Sequence, residues 1–123
     1  MNLQVVHAYL FGSVKYIDLL TVLMLLDIVT GVLKAIKNKT LRSRTAWYGY
    51  ARKIGVFVAI IAVNIIDVIM GLGGAVVYTT VLFYIANETL SVVENLSELG
   101  VKVPQIVMDK LHVMQNEKGD EKK

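Results

Sequence analysis

The sequence predicts an all-α membrane protein with about three transmembrane helices and a short amphipathic helix near the C-terminus. Of its 123 residues, 55% are apolar, and they lie in long runs that raise the mean hydropathy to +0.58, as in membrane proteins. Basic residues concentrate between two of these runs, as they do in cytoplasmic loops. A glycine-rich stretch divides the longest run, so that this run can cross the membrane twice.

The first predicted span covers residues 16–36 and carries an aspartate, Asp27, near its middle. Its 21 residues match the roughly 20 that cross the hydrocarbon core at about 1.5 Å each. Twelve of them are Leu, Ile or Val. At roughly −0.3 to −0.6 kcal/mol each, they outweigh one Asp at about +2.5 to +3.5 kcal/mol. Insertion is therefore favourable with Asp27 inside the membrane.

Residues 1–15 are mixed in character, with apolar residues at helical spacing. This pattern predicts an interfacial helix or an extension of the first span, with a disordered leader as the alternative. They lack the positive cluster and the small-residue cleavage site of a secretory signal peptide.

Between residues 34 and 53 the chain carries seven basic residues and no acidic one: Lys34, Lys37, Lys39, Arg42, Arg44, Arg52 and Lys53. Such a segment can set topology, contact anionic lipid headgroups or bind nucleic acid. Its position between apolar runs favours a cytoplasmic loop that contacts lipid, and no nucleic-acid partner is expected. The N-terminus is then outside the cytoplasm and the C-terminus inside.

The apolar run from residue 54 to 86 is too long for one simple span. The sequence "GLGG" at 71–74 interrupts it, because glycine favours turns. We therefore predict a helical hairpin with spans at about 52–70 and 75–93.

The third helix becomes amphipathic towards its C-terminal end. Polar residues follow one helical stripe, with two more that widen it: Asn87, Ser91, Glu94 and Glu98, then Glu88 and Asn95. The stripe is either a solvated face of a cytoplasmic helix or a polar wall that subunits present to water once they assemble. Gly100 and Pro104 are placed to end this helix and begin another, at about 104–115, before a charged flexible tail at 116–123. The membrane domain as a whole spans 16–115.

Polar residues within or beside the apolar spans need an explanation, since such residues face a bundle interior or a water-filled cavity. The acidic ones are Asp27, Asp67 and Glu88, with Asn64 nearby. They could line a pore, couple protons or cations in a small transporter, or join helices by hydrogen bonds. One turn after Asp27, a small-residue face made of Thr30, Gly31 and Ala35 would let another helix approach closely.

The residue inventory excludes several kinds of chemistry. The chain has no cysteine, and it contains no phosphate-binding glycine loop, nucleophile elbow or histidine pair at metal-ligand spacing. No catalytic residue, cofactor or metal is therefore predicted, and the chain is not expected to be an enzyme.

Four segments together resemble a known family: "DIVTGVLKAIKNKTLRS" (27–43), "GYARKIG" (49–55), "NIID" (64–67) and "NETLSVVENLSELGVKVP" (87–104). In order and spacing they are similar to the phage holins that include the pneumococcal phage holin and the clostridial toxin-export holins. The most specific parts are a D-x-x-T-G-x-x-K-A block and an N-E-x-x-S-x-x-E-N-x-x-x-x-G-x-x-x-P block. The motifs mark Asp27, Thr30, Gly31, Lys34, Ala35, Arg52, Lys53, Glu88, Ser91, Glu94, Asn95, Gly100 and Pro104.

The resemblance implies a multi-pass protein of the bacterial cytoplasmic membrane that forms homo-oligomers and opens lesions. Through these lesions an endolysin would reach the peptidoglycan, or a toxin would leave the cell. The sequence leaves open a small ion channel or proton-coupled transporter, and an antiholin or membrane adaptor.

Overall fold

The structure is a computed structural model that describes residues 2–5, 14 and 16–120. Four helices follow one another in its continuous part: α1 (Ile17–Lys37), α2 (Ser43–Met70), α3 (Ala75–Glu98) and α4 (Gln105–Asp120). The first three are long and apolar enough to cross a membrane. This confirms the predicted all-helical class with three candidate spans and a short C-terminal helix.

Helix α3 is the centre of the bundle, because α1, α2 and α4 all pack against it, while α1 and α2 make few direct contacts with each other. The small apolar core draws on all three long helices and includes Leu20, Ile60 and Val81, none of which is exposed. Most other large apolar side chains of α1 and α2 face outward. Val58 and Ile69, for example, are 60% and 77% exposed. A chain that leaves this much apolar surface uncovered requires lipid or further copies around it.

Helix α2 begins at Ser43, nine residues before the predicted start of the second span at 52. The predicted start follows the onset of hydrophobicity, but nothing in residues 43–51 breaks a helix, so the helix continues past the apolar part. The predicted basic loop is corrected accordingly. Only Lys39 and Arg42 lie in the connection at 38–42; the other basic residues are helical, on α1 (Lys34, Lys37) and on α2 (Arg44, Arg52, Lys53).

The turn between α2 and α3 lies at the glycine-rich stretch. Gly71 follows the last residue of α2 with φ of 66°, and Gly74 precedes α3 with φ of 90°. Both values belong to the left-handed region, which glycine adopts without a steric penalty. The two helices therefore reverse direction within four residues, as the sequence predicts.

The last helix is longer than predicted, whereas α3 ends close to the predicted position. Helix α3 continues beyond the predicted end of the span at 93 and stops at Glu98, two residues before Gly100, which is predicted to end it. Helix α4 continues to Asp120, so residues 116–120 of the predicted tail are helical. Residues 121–123 lie outside the described part of the chain, as does most of the predicted interfacial helix at 1–15, of which residues 3–5 are helical.

Candidate functional site

Three charged residues lie at the same depth in the bundle. Asp27 is ten residues before the end of α1, Lys53 is ten residues after the start of α2, and Glu88 is ten residues before the end of α3. These helix ends lie on the same side because neighbouring helices run in opposite directions. At about 1.5 Å per residue, the three side chains begin roughly 15 Å inside the bundle.

Lys53 joins the two carboxylates. Its Nζ donates hydrogen bonds to Asp27 Oδ2 at 2.7 Å and to Glu88 Oε2 at 2.8 Å. All three side chains are 13–15% exposed within the single chain. A buried charge is tolerated where it is paired and hydrogen-bonded. One cation therefore neutralises part of the charge of two carboxylates, and the three ionised groups together carry one negative charge.

Two uncharged residues complete the hydrogen bonding of the Asp27 carboxylate, and a third extends the network. Ser91 Oγ donates to Asp27 Oδ1 at 2.6 Å, and Asn95 Nδ2 donates to the same oxygen at 3.0 Å. The Asn95 amide also donates to Thr30 Oγ1 at 2.9 Å. We call these six residues the intramembrane polar cluster: Asp27, Thr30, Lys53, Glu88, Ser91 and Asn95. A single chain thus satisfies Asp27 completely, through contacts from α2 and α3.

The small residue Gly31 allows α1 to approach α3 at the cluster. A Cβ atom added at this position would lie 3.7 Å from Asn95 Nδ2, which is an ordinary van der Waals contact. Asn95 itself is 5% exposed and has little room to move. The predicted packing residues Thr30 and Gly31 therefore both face α3 within the chain, and Ala35 lines a cleft between α1 and α2.

Substitutions at Gly31 are expected to act in opposite directions. Gly31→Ala should leave the bundle as stable or stabilise it by up to about 1 kcal/mol, because alanine favours a helix more than glycine does. Gly31→Leu should destabilise it by about 1–3 kcal/mol, because the larger side chain must displace Asn95. Thermal unfolding in detergent micelles measures both. Equal melting temperatures for the two variants would contradict the close approach.

Asp67 lies at the opposite end of the bundle and is 1% exposed. Its carboxylate accepts three backbone hydrogen bonds at the start of α3, from Gly74 at 2.7 Å, Val76 at 2.9 Å and Val77 at 3.1 Å. It therefore caps α3 from the end of α2, because the residue at the cap position, Gly74, has no side chain to do so. Asn64 lines a 610 Å³ cavity beside this cap.

The other residues of the predicted polar stripe do not join the intramembrane polar cluster, and each has its own surroundings. Asn87 accepts a hydrogen bond from Gln115 of α4. The Glu98 carboxylate accepts a hydrogen bond from Asn38 Nδ2 at 3.1 Å, and the Glu98 backbone carbonyl accepts one from Lys37 Nζ. Glu94 is exposed. Of the four stripe residues, only Ser91 belongs to the intramembrane polar cluster.

A polar groove of about 720 Å³ opens outward from the cluster between α2 and α3. Besides cluster residues, its polar lining comprises Arg52, Asn87, Glu94 and Gln115. Hydrocarbon chains cannot hydrogen-bond to such a lining. The groove therefore requires water or the polar surface of another protein chain.

Sequence reasoning missed the role of Lys53, which it placed in the cytoplasmic loop. The structure corrects this: Lys53 lies within a candidate span and pairs with Asp27 and Glu88. The sequence did contain a sign of this pairing, because two acidic residues within apolar spans require a cation nearby. Among the described residues, no group of His, Asp and Glu is arranged to hold a metal.

Comparisons with known proteins agree with this architecture. A sequence profile of the bacteriophage holin family matches residues 5–116. A protein of Bacillus phage phi105 named a probable holin is 55% identical over 94% of this chain and 86% of its own length. An uncharacterised Bacillus subtilis protein, YqxH, is 52% identical over 98% of this chain and 86% of its own.

More distant relatives include an uncharacterised 14.9 kDa protein of Clostridium perfringens, which is 31% identical over 96% of this chain and 91% of its own length. No solved structure matches the chain. The profile match covers all four helices almost completely, and the high identity to the phage protein extends over nearly the whole chain. The chain therefore belongs to the bacteriophage holin family, whose members are non-enzymatic proteins of the bacterial cytoplasmic membrane.

Proposed function

We propose that this chain assembles into homo-oligomers in the cytoplasmic membrane and opens lesions that release an endolysin or a toxin from the cytoplasm. The observation that carries the proposal is the intramembrane polar cluster, which places two carboxylates and a lysine inside a bundle of otherwise apolar spans. The probable holin of phage phi105 supports it through its high identity to this chain.

In a dispersed protomer the cluster satisfies its own charges, so the chain can accumulate without opening the membrane. Lys53 neutralises Asp27 and Glu88 only in part, and the polar groove beside them cannot be filled by lipid. Both conditions favour contact with water once enough copies gather. The closed state is therefore stable at low density and becomes less favoured as copies associate.

The exposed apolar faces of α1 and α2 supply the surfaces along which copies would associate. Small residues and van der Waals packing drive such association in lipid. In the open lesion the groove and the intramembrane polar cluster face water, where their charges no longer require pairing. Residues at the other end, Asn64 and Asp67, would line the outer mouth.

The orientation follows from the basic residues at one end of the bundle. Lys39 and Arg42 in the connection, with Lys34, Lys37 and Arg44 at the adjoining helix ends, lie on the side where α3 ends. Basic residues remain on the cytoplasmic side. The N-terminus would therefore be outside the cytoplasm and the C-terminus inside.

Inducible expression in a bacterium, together with a cytoplasmic endolysin that has no signal sequence, tests the proposal. We expect abrupt lysis that requires both proteins and follows depolarisation of the membrane. Culture density and a potential-sensitive dye measure the two events in the same culture.

Depolarisation without endolysin release would identify a narrow channel instead. If the membrane stays polarised although the protein is inserted and abundant, the chain acts as an antiholin or an adaptor. A catalytically inactive endolysin is the matched control, since it leaves the lesion unchanged and removes only the lysis.

A further inference from the structure

A second cleft lies between α1 and α2 at the end of the bundle that carries the basic residues, and it meets the polar groove at Asp27, Lys53 and Ser91. It has a volume of about 230 Å³, equal to about eight water molecules at roughly 30 Å³ each. It exists because both helices pack on α3 and leave a gap between themselves. Small residues form its walls: Gly31 and Ala35 on α1, Ala46 and Gly49 on α2.

Two cations line the cleft without an ionic partner among the described residues. Lys34 comes from the last turn of α1, and Arg42 immediately precedes α2. Neither forms a salt bridge with another described residue. Thr40 and Tyr50 add hydroxyl groups to the lining. The start of α2 lacks a side-chain cap, so its backbone N–H groups add positive potential at the same end.

Apolar side chains also line the cleft. Ile28, Val32 and Leu41 contribute alongside the small wall residues. The inner end of the cleft reaches Asp27, Lys53, Ser91 and Asn95 of the intramembrane polar cluster, which bond to one another. Where it opens, the cleft therefore combines two cations that have no ionic partner among the described residues with hydrocarbon surface, in a protein of the membrane. An anionic phospholipid has this distribution of chemistry, since its phosphodiester is charged and its acyl chains are not. A soluble anion would match the cations alone.

We propose that the cleft binds the headgroup of an anionic phospholipid, with Lys34 and Arg42 on its phosphodiester. The site is distinct from diffuse attraction between a basic segment and a charged surface, because it depends on two particular cations rather than on total charge. Its test measures lipid selectivity in vesicles, whereas the test of the proposed function measures lysis in cells, so the two can fail separately.

The chain supplies its own reporter, because Trp47 is the only tryptophan. It is 72% exposed on α2, next to Ala46 in the cleft wall. The purified protein is reconstituted in phosphatidylcholine vesicles with increasing fractions of phosphatidylglycerol. Quenching of Trp47 by brominated phosphatidylglycerol is compared with quenching by brominated phosphatidylcholine. Anionic lipid is present in both leaflets, so the result does not depend on orientation.

We expect selective quenching by phosphatidylglycerol. A hydrogen bond to a charged group contributes about 1.5–3 kcal/mol, or at least about tenfold in binding, whereas diffuse attraction of a basic residue to an anionic surface contributes about 1 kcal/mol, or about fivefold. The double variant Lys34→Gln/Arg42→Gln should lose this selectivity. The matched control Lys39→Gln/Arg44→Gln removes the same charge from two exposed residues outside the cleft, and should reduce the selectivity by a clearly smaller factor, since it removes only diffuse attraction.

Three results would overturn the proposal. Equal losses in the two double variants would identify diffuse attraction to the basic segment. Displacement by free inorganic phosphate at constant ionic strength would identify a soluble anion as the ligand. Protection of Trp47 from both brominated lipids in an oligomeric sample would place a second copy of the chain over the cleft.

Discussion

Replacing Lys53 with methionine is expected to destabilise the folded bundle by about 3–5 kcal/mol, because it leaves two buried carboxylates without their shared cation. In the present arrangement Lys53 Nζ lies 2.7 Å from Asp27 and 2.8 Å from Glu88. Methionine fills a similar volume but donates no hydrogen bond. Unfolding in mixed detergent micelles, followed by circular dichroism, measures the difference.

A nearby cation provides the control. Arg52 precedes Lys53 on α2 and is exposed, so Arg52→Met removes the same charge and should change stability by less than about 0.5 kcal/mol. If both variants lose equal stability, net charge rather than the ion pairs is responsible.

Removing all three charges should restore most of the lost stability. In the triple variant Asp27→Asn/Lys53→Met/Glu88→Gln no carboxylate is left unpaired, and replacement of a whole buried ion group is often neutral or stabilising. The amide introduced at position 27 would still accept hydrogen bonds through its oxygen. A triple variant no more stable than Lys53→Met would show that methionine disturbs the packing of α2 instead.

The Lys53→Met variant and the triple variant also distinguish an effect on stability from an effect on lesion opening in cells. With a co-expressed endolysin, Lys53→Met should depolarise the membrane at a lower protein density, because unpaired carboxylates favour contact with water. The triple variant should open later than the unmodified chain. Unchanged timing in both, at equal membrane abundance, would remove the intramembrane polar cluster from the opening mechanism.

The number of helices and the turn between α2 and α3 could be predicted from the sequence because each depends on local properties. Hydrophobic length determines whether a segment can span the membrane. Gly71 and Gly74 adopt left-handed backbone conformations that other residues disfavour. Neither property requires knowledge of which helix lies beside which.

The pairing of Lys53 could not be predicted because it depends on where α2 begins. With a predicted start at residue 52, Lys53 lies at the membrane surface among the loop cations. With the observed start at Ser43, it lies ten residues inside, level with Asp27 and Glu88. An error of nine residues in a helix boundary therefore moved the central cation out of the predicted site.

The polar stripe on α3 shows a second limit of prediction from the sequence. Two sets of polar residues satisfy helical spacing on α3. The first is Asn87, Ser91, Glu94 and Glu98, and the second, on a neighbouring face, is Glu88, Ser91 and Asn95. Each residue turns a helix by about 100°, so the two stripes overlap at Ser91. Only the position of α1, with Asp27 and Thr30 facing Asn95, selects the second one.

Asp67 accepts hydrogen bonds at the start of α3 in the structure, and joining helices by hydrogen bonds is one of the three roles that the sequence leaves open for it. Its removal is the second substitution with a large expected effect. Asp67→Ala should destabilise the bundle by about 2–4 kcal/mol. It leaves three backbone N–H groups without their acceptor, and each buried unsatisfied donor costs about 1–3 kcal/mol where water cannot reach it.

Asp67→Asn should lose about half as much stability, because one side-chain oxygen remains to accept a hydrogen bond from the start of α3.

Thr79→Ala is the matched control in the first turns of the same helix. The Thr79 hydroxyl is exposed and bonds only to its own helix, at Ala75. Thermal unfolding should rank the variants Asp67→Ala, Asp67→Asn and Thr79→Ala in order of decreasing loss. Hydrogen exchange at Val76 and Val77 then locates the effect, since both amides donate to Asp67. If their protection is unchanged in Asp67→Ala, the carboxylate does not hold the start of α3. Lining the outer mouth of the lesion is then the only role proposed for Asp67 that is left.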